Sequence, residues 1–294
     1  MYLTRFRINT ARSEARRLLG SPHRLHGAVD MAFPEPPARD GTGPRVLWRL
    51  DHAPGDRVDL LVSSPSRPDF THLAEQAGWP SLGQEGWATF AYGEFLDALA
   101  EGDIWAFRLT ANPVHHIRRA HDPVGAPTKR AAHVTVRHQI GWLLKQQERA
   151  GFEVLRRSFS QVPETGAEVG AAAAGVVRGA ERAVNDDGPG AVEDRRTTTG
   201  PESASESAPT VPEKDDEGNY QVVVHDRVPV QFGKRPGSSA RSAPGPGADV
   251  RFARATFDGR LRITDGAAFR RVLTHGLGKS KAYGCGLMTL APAR

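Results

Sequence analysis

The sequence predicts an α+β chain built from two consecutive β-α-β-β-α-β units. Three observations carry that expectation. Residues 1–113 alternate strand-period and helix-period runs in that order, and the runs after residue 131 repeat it with one extra hairpin. A chain of 294 residues with 38% hydrophobic content also has enough apolar material for two ordinary cores.

Residues 2–8 set Tyr2, Thr4, Phe6 and Ile8 against Leu3, Arg5 and Arg7, the period-two pattern of a strand. Ala15, Leu18 and Leu19 then mark a helix up to Gly20. Ser21-Pro22 restarts it as an N-cap with proline in the first turn, and Leu25, Ala28, Val29 and Ala32 continue at helical spacing. The runs 45–50 and 57–62 flank a Pro54-Gly55-Asp56 turn and read as a hairpin. Residues 69–77 follow as a helix, and 103–109 as a strand ending at Asn112-Pro113. That order is the ferredoxin-like (RRM-like) arrangement.

The second unit begins after a basic connector, His115-His116-Ile117-Arg118-Arg119. Residues 133–136 are expected as a strand, Ile140, Leu143 and Leu144 as a helix ending at Gly151, and 152–156 as a strand. Residues 221–224, 228–232 and 250–263, the last turning at Asp258-Gly259, add strands. A helix over 265–275 and a strand over 285–290 close the chain. The expected division is 1–114, a connector at 115–130, and 131–294. Two segments, 161–217 and 236–247, are rich in Ala, Gly, Ser and Pro and are expected to be disordered or mobile insertions.

Composition narrows the chemistry. A formal charge of +5 favours a polyanionic partner. The single cysteine, Cys285, rules out an internal disulfide or a cysteine-cluster zinc site and fits a reducing cytoplasm. The chain starts as a strand and contains no long apolar run, so neither a signal peptide nor a membrane partner is expected. Adjacent acidic pairs such as Asp186-Asp187 and Asp215-Asp216 fall inside the first insertion, where no rigid metal cage can form; no metal and no cofactor is expected. No Gly-x-Ser-x-Gly elbow exists, and Cys285 has little support as an acyl-transfer nucleophile.

The most informative stretch runs from His275 to Leu287. Gly276, Gly278, Gly284 and Gly286 leave a bare backbone beside Lys279, Ser280 and Lys281, a combination suited to phosphates. Gly278-Lys279-Ser280 imitates the end of a Walker A loop, but Leu273 stands where its first glycine belongs, and the loop follows a helix rather than a strand. A dinucleotide fingerprint fails at Lys281, where its third glycine would fall. A helix C-cap at Gly276 followed by a turn is the structural alternative. The other candidate is a helix face that carries His23, His26 and Asp30 away from the Leu25/Val29/Ala32 stripe. Histidine gives and takes protons near neutral pH, and in RNA the nucleophilic 2′-hydroxyl is already part of the substrate. A surface histidine bonded to Asp30 is the plainer reading of His26.

Taken together, Tyr2-Leu3-Thr4-Arg5, Ser21-Pro22-x-x-Leu25-His26-x-Ala28-Val29, Leu47-Trp48-Arg49-Leu50, Leu109-x-x-Asn112-Pro113 and the glycine-rich stretch with Leu290-Ala291-Pro292 resemble the CasE endoribonucleases of type I-E CRISPR systems. The resemblance implies tandem ferredoxin-like domains and metal-independent cleavage of precursor CRISPR RNA at a repeat hairpin. It also implies 5′-hydroxyl and 2′,3′-cyclic phosphate ends and retention of the mature crRNA among the other Cascade subunits. It gives His26 the place of the family's catalytic histidine and residues 276–286 that of its glycine-rich RNA-binding loop. A tyrosine that some members place three residues earlier is His23 here, which leaves open whether His23 acts as an acid, holds RNA, or does neither. Arg156 and Arg157 are further candidate RNA contacts. A non-catalytic hairpin-binding subunit is the alternative.

Overall fold

The computed structural model describes residues 1–35, 43–80, 86–117, 128–157, 217–233 and 249–293. The expected insertions at 161–217, apart from Glu217, and at 236–247 lie outside these residues.

The first sheet has the order β2-β3-β1-β4 with every neighbour antiparallel, formed by β1 (Tyr2–Ile8), β2 (Leu47–Ala53), β3 (Arg57–Ser64) and β4 (Trp87–Ala91). Between β1 and β2 run α1 (Ser13–Leu19) and α2 (Pro22–Asp30); α3 (Thr71–Ala77) separates β3 from β4, and the short α4 (Gly93–Asp97) follows β4. Phe6, Leu60 and Val62 of the sheet pack with Leu25 and Val29 of α2 and Leu73 of α3 in one core. Ser21 starts α2 as expected, its hydroxyl accepting from the Arg24 amide, with Pro22 at the first position.

The second sheet has the order β11-β5-β10-β8, formed by β5 (Ile104–Ala111), β8 (Phe152–Val154), β10 (Asp249–Ile263) and β11 (Met288–Pro292), with β9 (Val222–Gly233) paired along the outer part of β10. α5 (Val136–Leu144), α6 (Gln147–Ala150) and α7 (Gly266–His275) cover it, burying Ile140, Leu143, Phe269 and Leu273 against Leu109, Phe257 and Leu261. Asp265 caps α7 by accepting from the Ala268 amide at 2.9 Å. Both sheets thus have the strand order of a ferredoxin-like unit, and the described parts of 1–157 and 210–294 form one compact unit.

Three expectations change. The strand at 103–109 does not close the first unit: β5 opens the second sheet between β10 and β11, and β4, a five-residue edge strand, completes the first. Residues 133–136 are not a strand. The strand lies earlier, at β7 (Lys129–Ala132), pairing with β6 (Val114–Ile117) across both bounds of the expected connector, and Thr135 caps α5 by accepting from the His138 amide. Finally, β10 runs through Asp258-Gly259 without turning. Gly259 is needed there because a Cβ would overlap the Gln221 carbonyl and meet a Phe107 ring carbon at 3.0 Å.

Candidate active site

α2 presents His26 and Asp30 one helical turn apart, and His26 Nε2 lies 3.5 Å from Asp30 Oδ2, with both side chains about three-quarters buried. His23, one turn earlier, has a buried Nδ1 without a hydrogen-bond partner among the described residues. The glycine-rich stretch, 276–287, lies beside them. After α7 it forms a single 3₁₀ turn over Lys281–Tyr283, and the Tyr283 ring meets the His26 ring edge-on, with centroids 6.1 Å apart. Two segments some 250 residues apart in sequence, Pro22–Asp30 and 276–286, are therefore brought together.

The loop is held by contacts that explain its composition. Gly276 has φ +77°, and a Cβ there would come within 2.8 Å of Leu47 Cδ2; at Gly284, φ +78°, it would come within 2.7 Å of Trp48 Cζ3. These two glycines let the backbone bend left-handed and lie flat on β2 of the first half. Gly278 approaches Trp142 of α5 in the same way, and the Gly286 amide donates to Thr110 O of β5 at 2.7 Å. Ser280 also has positive φ, +60°, and its Oγ accepts from Asn112 Nδ2 at 2.8 Å. Lys281 Nζ donates to His275 O at 2.7 Å. Burial, followed by repulsion from Arg45, Lys279 and Arg149, pulls its ammonium down to about 8. Cys285 is fully buried, which pushes its thiol up to about 12.

The residues alone assign no role to Tyr283, which lies within the glycine-rich stretch. It joins Phe232 of β9 at 4.8 Å and Phe252 of β10 at 6.2 Å, so the extra hairpin packs on the turn facing His26. The structure does not bring Arg156 and Arg157 to this place. They follow β8, across the sheet from β11, where Arg156 lies over the Tyr220 ring at 5.2 Å and the Arg157 amide bonds Asn219 O. Among the described residues, no three His, Cys, Asp or Glu side chains are grouped so as to hold a metal ion, and no helix is long and apolar enough to cross a membrane.

Comparison with known proteins agrees with this architecture. A CRISPR-associated endoribonuclease Cse3 from Thermus thermophilus is 32% identical over 157 residues, or 53% of this chain; the match spans 65% of that relative, slightly under two thirds of its length. The structure of a CRISPR endoribonuclease Cse3 bound to 19 nt RNA superposes with TM-score 0.61 at 24% identity, covering 99% of this chain and 100% of that one. Thermus thermophilus Cse3 bound to an RNA representing a pre-cleavage complex gives 0.58 at 23% identity, covering 99% and 98%. At those identities the superpositions establish the fold, two tandem ferredoxin-like domains. A family model described as CRISPR associated protein matches residues 1–292, and the chain belongs to that family, as its CasE-like motifs imply.

Proposed function

We propose that this chain is an endoribonuclease that binds a CRISPR repeat hairpin, cuts the precursor RNA next to it, and stays on the mature guide as a subunit of a Cascade-type assembly. The observation that carries this reading is the contact between His26 and the glycine-rich loop through Tyr283, with ring centroids 6.1 Å apart. An imidazole used for proton transfer and a cationic, glycine-bent backbone stretch thereby border one surface. The relative's name and the RNA bound in the similar solved structures agree with it.

In this mechanism His26 serves the 2′-hydroxyl or the leaving oxygen. The 2′-oxygen loses its proton and bonds to the adjacent phosphorus; the P–O5′ bond breaks, and the 5′-oxygen takes up a proton. The products are a 2′,3′-cyclic phosphate and a 5′-hydroxyl, and no metal takes part. Asp30, one turn away, orients the imidazole. Lys279, Ser280, Lys281 and the backbone at Gly276, Gly278, Gly284 and Gly286 meet the RNA phosphates, while hairpin shape supplies selectivity. His23, on the same helix, contacts the RNA or assists as an acid. Arg156 and Arg157, remote from this surface, extend the basic footprint.

The test is cleavage of repeat RNA in EDTA. His26→Ala keeps hairpin affinity and loses cleavage by about 10²- to 10⁴-fold, the range of general acid-base catalysis. Cutting at the wild-type rate removes His26 from the chemistry. Wild-type protein that binds the hairpin tightly without cutting it leaves the guide-holding subunit as the function.

A further inference from the structure

A cavity of about 650 Å³ opens on the loop, between it, α6, α7 and the segment leading into β2. Five cationic side chains line it: Arg45, Arg149, Arg271, Lys279 and Lys281. No Asp or Glu is among the described residues that line it. Among the described residues none of the five forms a salt bridge. Arg149 bonds only Gln146 Oε1, and Lys281 only a backbone carbonyl. His275 lines the same cavity; its Nδ1 is within 3.1 Å of Arg271 O, and its buried Nε2 has no partner there. The described residues therefore gather like charges around a half-open cleft and supply no counter-charge, an arrangement that an anion relieves. The Lys281 ammonium, held near 8 by burial and its cationic neighbours, registers that repulsion.

We propose that this cavity is a second RNA-binding site, which takes the backbone phosphates of the single strand adjoining the hairpin stem through Arg45, Arg149 and Arg271. The proposal rests on the RNA-binding reading above. A single strand rather than a duplex is the occupant because the cavity has the volume of a small-ligand site, enough for a few nucleotides. RNA rather than an acidic polypeptide is the occupant because the walls are continuous with the loop. Gly276, Gly278, Lys279 and Lys281 line the cavity, and two residues later Tyr283 meets His26, so a strand leaving His26 crosses directly into it.

The experiment titrates full-length protein with three fluorescent RNAs over a range of salt: a hairpin ending at its stem, the same hairpin extended by single-stranded nucleotides, and the single strand alone. The extended RNA should bind the wild type at least tenfold more tightly than the bare hairpin. Its salt slope should be steeper by about 0.7 for each single-strand phosphate engaged. Arg149→Ala/Arg271→Ala, at two exposed positions, should lose that gain and most single-strand binding while holding the bare hairpin within twofold. The proposal is overturned if the double variant keeps the gain, if it loses equally on both hairpins, or if polyglutamate of matched charge competes as well as the single strand. A wild type that fails on the bare hairpin sinks the hairpin reading instead, and the single-strand arm still decides the cavity.

Discussion

His26 and Lys281 illustrate how one side chain's neighbours set its chemistry. His26 sits a helical turn from Asp30, which orders the ring, and edge-on to Tyr283, which limits its swing. Lys281 has the opposite surroundings: a half-buried ammonium bonded to one carbonyl and ringed by Arg45, Lys279 and Arg149. Its amine, near 8 when folded against 10.5 ordinarily, binds fewer protons in the folded chain between those values. The charge is therefore a destabilising one below pH 8, and the apo protein gains stability as pH rises from 8 to 10.5. A phosphate ligand reverses the balance and returns the proton. Calorimetry of RNA binding at pH 8.5 in buffers of different ionisation enthalpy should show proton uptake, with affinity falling as pH rises through about 8. Lys281→Met should abolish the uptake, and uptake that persists in that variant assigns it to another group.

At the scale of elements, the glycine-rich loop is shaped by protein packing. Gly284→Ala would combine a left-handed backbone with a Cβ 2.7 Å from the Trp48 ring, whereas Gly55, with φ +77° in the β2–β3 turn, has open space around it. Gly284→Ala should cost about 2–4 kcal/mol, backbone strain plus overpacking, and Gly55→Ala about 1–2 kcal/mol. Equal losses in denaturant midpoint would mean that the loop is not wedged on β2. The same distinction explains why β10 runs on where a turn is expected. Asp258-Gly259 has the residue types of a turn, yet the glycine serves a close approach to Gln221 and Phe107 in mid-strand. Composition alone does not separate those two uses of glycine. The strand expected at 133–136 failed for a different reason: its β-branched residues, Val134, Thr135 and Val136, straddle a helix cap, and the cap hydrogen bond decided the local structure.

At the scale of the molecule, Arg49 ties the two sheets. It projects from β2, is 1% exposed, and bonds Arg108 O at 2.8 Å, Leu287 O at 3.2 Å and Thr289 Oγ1 at 2.8 Å in the second half, while Asp51 takes its Nε and Nη2. Its five donors satisfy both halves at once, a geometry lysine cannot reproduce. Arg49→Ala should cost about 3–5 kcal/mol, because it strands the facing carbonyls in a largely buried place and leaves Asp51, among the described residues, with only Arg108, 3.9 Å away. Arg49→Lys should recover little of that. Cleavage should fall alongside stability, since the same junction sets the loop against His26. A thermal melt indistinguishable from wild type would show that the halves are held by apolar packing alone.

The α+β class, the tandem units, α2 with its Ser21-Pro22 start and the two stretches that bear the candidate site are all legible in the residues. Those features follow from local periodicity, capping chemistry and motif residues, all written within a few positions of one another. It takes the folded chain to put β5 in the second sheet, Tyr283 against His26, Arg156 and Arg157 away from it, and Arg45, Arg149 and Arg271 in one cavity with the loop lysines. Strand pairing and the meeting of side chains hundreds of residues apart depend on which surfaces bury one another, and no local pattern encodes that choice.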